Sequence, residues 1–321
     1  MATRPVTLLF GGEYDRVSTL PAAGRELGIE INPRYLPGAK AAFEALSHDT
    51  DADGGEMSIS FYMTRRSRLK ERSDLVALPV WISRTFRHGN VWVAADSDLH
   101  TPADLAGRRV GLAEYGMTMA VWLRGTFQDE DSLAPSDVRW FTGRDPASLS
   151  EELLRVPGDV EITRANRSIP LPAQLVTGEL DAVITAAGLD PRPPGIRRLF
   201  ADHVAVERDY YRRTGIFPIM HVLVLRREFV ESRPDEVPTV LAAFERAKQM
   251  ALARLRSPSV SYVTLPWTLA AVEEQAAVFG PDPWPYGIAD NLPTLTTLHR
   301  YLHEQGLLWD DLPLDDYFAR T

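Results

Sequence analysis

The sequence predicts an α/β protein built as two lobes, each a mostly parallel sheet flanked by helices. Three observations predict it. Short apolar runs alternate with helical patterns from the first strand onward, the β-α-β-α-β order that gives a parallel sheet covered on its faces. A second unit of the same kind begins near Ser97. The chain then returns through an apolar strand near residue 221, so two strands, 91–94 and 221–225, cross between the lobes at a hinge. The length of 321 residues suits two cores better than one.

The elements follow in order. VTLLF (6–10) reads as a strand, Ala39 to Leu46 as a helix, and Met57 to Phe61 as a second short strand. Leu75 to Pro79 and Val91 to Ala94 are further strands. The second unit has a capped turn at Thr101 and Pro102, a strand at Val110 to Ala113, a tight loop and a helix from about Met117. Asp137 to Phe141 is a strand, Leu171 to Thr177 a helix, and GELDAVIT (178–185) a turn leading into a strand. Residues 144–169 and 186–200 show no clear element. HVLVLRREF (221–229) is the returning strand, followed by helices at about 235–256, 266–279 and 288–305. Lobe one is then 1–95 with 222–321, and lobe two is 96–221.

Composition narrows the classes. Hydrophobic residues are 45% and charged residues 25%, which places the chain among globular proteins rather than disordered ones. The net charge of −9 argues against nucleic acid or an anionic membrane as partner, since both select a basic footprint. With no cysteine there is no disulfide, thiolate nucleophile or iron–sulfur cluster. The N-terminus runs directly into a strand without an apolar signal segment, and no stretch reaches membrane-spanning length, so a cytoplasmic location is expected. GxGxxG, GxxxxGK[ST] and GxSxG are absent, giving no support to nucleotide cofactors or a hydrolase elbow. His299 and His303 have the i, i+4 spacing of metal ligands, but an exposed helix face explains the pair as well, and no metal is expected.

Five segments carry candidate chemistry. In open parallel sheets ligands sit at the carboxyl ends of strands. That places the loop after the first strand, with Tyr14, Asp15 and Arg16, at a cleft, although a polar turn accounts for the same residues. Alternation puts Ser58 and Ser60 on one side of their strand, lining a cleft or an ordinary edge. ISRTFRHGN (82–90) gathers Arg84, Arg87 and His88 beside the first crossing, and His88 is the leading proton-transfer residue because imidazole titrates near neutrality. AEYGMT (113–118) ends a strand and opens a helix, so the main-chain N–H groups of Gly116, Met117 and Thr118 form a ready anion site. Glu114, beside Tyr115 in that turn, either points away or serves as a proton donor. YYRRTGIFPIMHV carries Arg212, Arg213 and His221 next to the second crossing, with His221 either facing His88 or satisfied in the core.

Taken together, GEYDR, PVWISRTFRHGNVWV, DLAGRRVGLAEYGMTMAVWLRGTFQDE, YYRRTGIFPIMHV and DPWPYGIADNLPTLTTLHRYLHEQGLL resemble the 4,5-dihydroxyphthalate decarboxylase family. The resemblance runs from about residue 6 to residue 318. It implies the type II periplasmic-binding-protein fold, an aromatic dicarboxylate substrate and no organic cofactor. The positions matching its recurrent segments are Tyr14, Asp15, Arg16, Ser58, Ser60, Arg84, Arg87, His88, Glu114, Tyr115, Thr118, Arg212, Arg213 and His221. Glu13, Met57, Phe61 and the loop 186–195 depart from its pattern, so the substrate can differ in detail.

The expected reaction is decarboxylation of a hydroxylated aromatic acid, 4,5-dihydroxyphthalate to protocatechuate in type. The 116–118 turn with Arg16 or Arg84 would hold the retained carboxylate. His88, with Glu114 or His221, would handle protons, and Phe61 or Trp81 would give the departing carboxylate an apolar wall. A solute-binding protein that uses the same cleft without catalysis is the alternative, as is a dehydratase on the same fold. Apolar faces on the C-terminal helices leave a homo-oligomer open.

Overall fold

A computed structural model describes residues 4–49, 51–143, 155–185 and 193–319. The first sheet contains β1 (Val6–Phe10), β2 (Ile31–Tyr35), β3 (Gly54–Ser58), β4 (Leu75–Arg84) and β11 (Ile219–Arg226), in the order β2-β1-β3-β11-β4. β1 runs parallel to both neighbours, while β11 lies antiparallel between β3 and β4. The second sheet contains β5 (Val91–Ala94), β6 (Arg109–Leu112), β7 (Arg139–Thr142), β8 (Ile162–Arg164), β9 (Ala182–Ile184) and β10 (Ile196–Arg198), in the order β10-β5-β9-β6-β7-β8. β6 to β9 are mutually parallel and β5 is antiparallel to both its neighbours.

The helices cover these sheets. They are α1 (Asp15–Ser18), α2 (Leu20–Glu26), α3 (Ala39–His48), α4 (Ile59–Leu69), α5 (Thr118–Asp131), α6 (Leu171–Val176), α7 (His203–Thr214), α8 (Arg227–Ser232), α9 (Val237–Leu255), α10 (Thr268–Phe279) and α11 (Leu292–Glu304). α9 lies across α1 and α2, and α4 meets α5 where the lobes adjoin. No helix among the described residues is long and apolar enough to cross a membrane.

Three readings of the sequence change. The strand expected at Met57 to Phe61 is β3, ending at Ser58, and Ile59 already starts α4. The physical reason is a cap: the Ser58 hydroxyl accepts the Phe61 N–H at 3.4 Å and offers the chain a helix start that competes with further strand. Glycine makes β3 possible in the middle of the sheet. A Cβ at Gly54 would stand 2.2 Å from the Val224 carbonyl oxygen, and one at Gly55 would stand 2.4 Å from that of Leu9. Second, β8 and β10 fall in stretches without a readable pattern, because each is only three residues long. The rest of those stretches, 144–154 and 186–192, lies outside the described residues.

The third change concerns the lobes. β5 pairs wholly within the second sheet and β11 wholly within the first, so the crossings fall at 85–90 and just before Ile219. The C-terminal segment is not confined to lobe one. α11 sits on α5 of lobe two, where Tyr301 presses its ring against Gly125: an added Cβ would come within 2.3 Å of that ring. Arg300 pairs with Asp129 at 2.5 Å, and Gln305 accepts from the Arg124 Nε at 2.8 Å. The chain then returns to lobe one, with Phe318 bridging to Ala77 of β4 and Tyr62 donating its hydroxyl to the Tyr317 carbonyl. Periodicity showed an amphipathic α11 but not which lobe its apolar face would meet.

Candidate functional site

The carboxyl ends of β1 and β3 and the entering end of β11 lie on one edge of the first sheet. Register makes a pair there. His221 stands opposite Ser58 and Leu223 opposite Glu56, so Glu56 and His221 are diagonal neighbours on one face. Glu56 is fully buried, and its Oε1 lies 2.5 Å from the His221 Nδ1. The Gly11 N–H donates to Oε2 at 2.8 Å, and the Tyr14 hydroxyl reaches both oxygens, at 2.9 and 3.2 Å. Burial alone would raise the Glu56 carboxyl. The bond and charge of His221, with the Gly11 and Tyr14 donors, outweigh it and hold the group below its ordinary range. Burial and the adjacent carboxylate push the Tyr14 hydroxyl up, so it stays a proton-bearing donor.

These contacts fix the imidazole. With Nδ1 engaged by a carboxylate, the ring is held in one orientation, and Nε2 has no protein partner among the described residues. The ring edge of His221 rests against Phe43, 5.1 Å between centroids, while the side chain keeps 19% exposure, enough to meet a ligand.

The second lobe meets this edge through the turn before α5. Thr118 Oγ1 lies 2.9 Å from the Ser58 hydroxyl and 2.8 Å from that of Ser60, and it accepts the Ser60 main-chain N–H at 3.3 Å. Ser60 in turn donates to the Gly116 carbonyl at 2.8 Å. Three hydroxyls thus join the two lobes beside His221. The turn is partly self-satisfied, with the Met117 N–H bonded to the Glu114 carbonyl at 3.3 Å, so the start of α5 rather than the whole turn offers donors.

Of the residues singled out by sequence, Tyr14, Ser58, Ser60, Gly116, Met117, Thr118 and His221 come together here. Arg16 lies at the margin. Its guanidinium lies over the Trp284 ring at 4.1 Å and over the Tyr14 ring at 5.3 Å, donates to the Ile82 carbonyl, and reaches Asp15 at 3.1 Å. Asp15 itself is exposed.

The others are placed elsewhere. Arg84 is bonded to Asn291 at 2.7 Å and to the Phe217 carbonyl at 2.8 Å. Arg87 reaches the Met220 sulfur at 3.2 Å. Burial pulls both guanidinium groups down to about 10, which leaves them charged at neutral pH. Tyr115 is a core residue under Arg124, which lies 3.7 Å over its ring. Glu114 is buried within lobe two. Arg213 pairs with Glu130 and Asp209 on the surface, and Arg212 is exposed beside it. Trp81, expected as an apolar wall, is wholly inside the core against Phe318.

His88 does not reach the Glu56–His221 pair. It packs between Phe200 and Tyr210, ring centroids 5.4 and 5.6 Å away, and Phe200 lies on Phe127 of α5. Phe127 is more than two turns from Thr118, on the order of 13 Å along the helix. Burial lowers the His88 imidazole to about 4, so it is neutral and its 3.8 Å approach to Glu207 is no ion pair. An arginine- and histidine-rich loop next to a hinge looks like a site in sequence. Here the aromatic side chains around it turn those groups inward.

Glu56 and Phe43 were missed. Glu56 left one signal, an acid inside an apolar strand between a glycine pair and Met57, and a buried carboxylate needs partners. No group of three or more His, Cys, Asp or Glu side chains among the described residues could hold a metal ion, and His299 instead neighbours Asp311 at 3.7 Å.

Two α/β sheets closed over an interlobe edge define the periplasmic-binding-protein type II class. A sulfonate-binding protein SsuA from Methylobacillus flagellatus superimposes with a TM-score of 0.58 at 14% identity, covering 98% of this chain and 91% of that one. A mutant of the desulfurization enzyme DSZB, in complex with biphenyl-2-sulfinic acid, gives 0.55 at 18% identity, covering 98% and 97%. No family model matches the chain. A 4,5-dihydroxyphthalate decarboxylase from Comamonas testosteroni is 32% identical over 303 residues, 92% of this chain and 91% of that protein. One from Pseudomonas putida is 33% identical over 214 residues, 63% of this chain and 79% of its own length. The chain belongs to the 4,5-dihydroxyphthalate decarboxylase family.

Proposed function

We propose that this protein is a carboxy-lyase that removes CO₂ from a hydroxylated aromatic carboxylate of the 4,5-dihydroxyphthalate type, with His221 as the proton-transfer residue. The observation that carries the reading is the Glu56–His221 pair, set at the carboxyl edge of a sheet beside a second lobe. Family membership supplies the reaction class, and the pair supplies a group able to perform it.

In such a substrate each carboxylate is para to a hydroxyl. A proton passes from His221 Nε2 to the carboxyl-bearing carbon, while the para oxygen stabilises the dearomatised ring. The carbon–carboxylate bond then breaks, its electron pair restores the ring, and CO₂ leaves. The imidazole regains a proton from solvent or from the phenol. Glu56 orients the ring through its Nδ1 and places a negative charge beside it. The N-terminal end of α5 and Arg16 bind the retained carboxylate, through main-chain donors on one side and a guanidinium on the other. Phe43 and the half-buried Phe61 give the departing group an apolar surface, where loss of hydration favours its release as neutral gas.

The test is purified protein with 4,5-dihydroxyphthalate, followed by mass analysis of the product. Loss of CO₂ in wild type, with a drop of about 100-fold or more in His221→Gln, is the expected result. Recovery of the intact acid after binding would replace the lyase by a binding protein, and loss of water would replace it by a dehydratase.

A further inference from the structure

A hollow lies beside Arg84, at the end of β4. It has a volume of about 300 Å³, between α7 of lobe two and α10 of the C-terminal segment. None of Tyr14, Glu56, Ser58, Thr118 or His221 lines it. Five aromatic side chains of the described residues do. Phe86 stacks on Phe217 at 4.8 Å, Tyr211 meets Phe279 at 4.3 Å, and Trp284 stands edge-on to Phe217 at 5.6 Å. The volume is at the lower end of small-molecule sites, about 300–1,000 Å³, which suits a single-ring ligand.

The polar groups of the wall are few and of both signs. Arg84 lies 4.7 Å over the Phe217 ring with only 7% exposure, and its Nε has no hydrogen-bond partner among the described residues. Arg208, from α7, reaches across the mouth to Glu274 of α10 at 2.9 Å, and both are largely exposed. Glu207, from α7, accepts the Gly89 N–H at 3.3 Å with one oxygen. A buried cation with an unspent donor, a second cation at the rim and a carboxylate acceptor among aromatic rings match one ligand chemistry. It is a flat ring bearing a carboxylate at one end and a hydroxyl at the other.

We propose that this hollow is an accessory site for a hydroxylated aromatic monocarboxylic acid, with the carboxylate toward Arg84 and Arg208 and the hydroxyl toward Glu207. Its position gives binding a consequence. Phe86 lies in the first crossing between lobes and Phe217 just before β11 in the second. Tyr211 belongs to lobe two, while Phe279 and Trp284 belong to the C-terminal segment. A ligand here touches both crossings and ties α7 to α10, so it biases lobe closure without entering the cleft. The assignment does not depend on the proposed reaction, because binding alone tests it.

The experiment is calorimetric titration of the whole protein with 4-hydroxybenzoate, in wild type, Val278→Trp and Arg208→Glu. Val278 lines the hollow and is only half-buried, so a larger side chain fills the space. Arg208→Glu replaces the Arg208–Glu274 pair at the mouth by two carboxylates, which repel an anionic ligand. Thermal unfolding of each variant checks that it folds, and the exposed Arg208→Glu change decides the matter if Val278→Trp does not. The expected result is a binding event in wild type that weakens about tenfold or more in each folded variant, one charge contact in a partly shielded site being of that order. Binding that is unchanged in the folded variants, or absent from wild type at millimolar concentration, overturns the assignment.

Discussion

The Oε1 of Glu56 lies 2.5 Å from the Nδ1 of His221, across two antiparallel strands and with the carboxylate wholly buried. A carboxylate in that position is shielded from solvent, and among the described residues its hydrogen-bond partners are His221, Tyr14 and the Gly11 N–H. Glu56→Gln keeps the shape and removes the charge. We expect catalytic turnover to fall by about 100-fold or more, with a smaller change in KM, because the amide no longer places a negative charge against the His221 Nδ1. Steady-state rates of CO₂ release measure it. A KM effect without a turnover effect would make Glu56 purely structural.

The same pair governs acid stability. The Glu56 carboxyl is held below its unfolded value, so its contribution is present above the unfolded carboxylate range and is lost as pH falls through the folded value. Urea unfolding between neutral pH and pH 3 should show wild type losing stability in the acid limb, and Glu56→Gln losing less over the same range. Parallel curves would contradict the assignment.

His88 makes a separate pH prediction. Its folded value is about 4 against an ordinary 6.5, because burial disfavours the charged ring. The folded state therefore binds fewer protons. The His88 penalty is absent above pH 6.5 and grows as pH falls from 6.5 toward 4, to on the order of 3 kcal/mol from this group alone. His88→Phe keeps a ring against Phe200 and Tyr210 and should flatten that part of the profile in urea melts, leaving CO₂ release at neutral pH close to wild type.

Thr118→Val tests the junction between lobes. It removes the hydroxyl shared by Ser58 and Ser60 while conserving volume. Ser60 keeps its bond to the Gly116 carbonyl, but its main-chain N–H loses its Thr118 acceptor, a loss of about 1–3 kcal/mol for a buried group. The expected result is a KM raised about tenfold, turnover falling less, and a lower thermal midpoint. If KM and midpoint both stay at wild-type values, the hydroxyl cluster does not hold the lobes.

Gly11→Ala tests the strand-to-loop turn that feeds Glu56. An added Cβ would stand 2.3 Å from the Ala39 backbone, so the loop must shift and take with it the Gly11 N–H and Tyr14. Overpacking of this kind costs about 1–3 kcal/mol. Denaturant midpoints should fall accordingly, with activity lost even where the protein stays folded.

How far sequence carried the molecule can be followed through particular residues. Mostly apolar runs, such as Val6–Phe10 and Val91–Ala94, announced their strands because the pattern of side chains is itself the cause of burial. The helices from α9 to α11 were legible for the same reason. Ser58 was read as mid-strand because the letters around it alternate, and alternation carries no record of a hydroxyl turning back to cap a helix. His88 drew attention through its charged neighbours, yet Phe200 and Tyr210, more than a hundred residues later, decide that it is neutral and inside.

The sequence by itself determined the α/β class, the existence of two sheets and the family, since these follow from local periodicity, turn chemistry and extended similarity. Only the tertiary structure decided that Glu56 pairs with His221 while Arg84 and His88 face away, that β5 joins the second sheet and that α11 rests on α5. Strand register and long-range packing set those relationships, and both depend on contacts between residues far apart in the chain, whose partners no local pattern names.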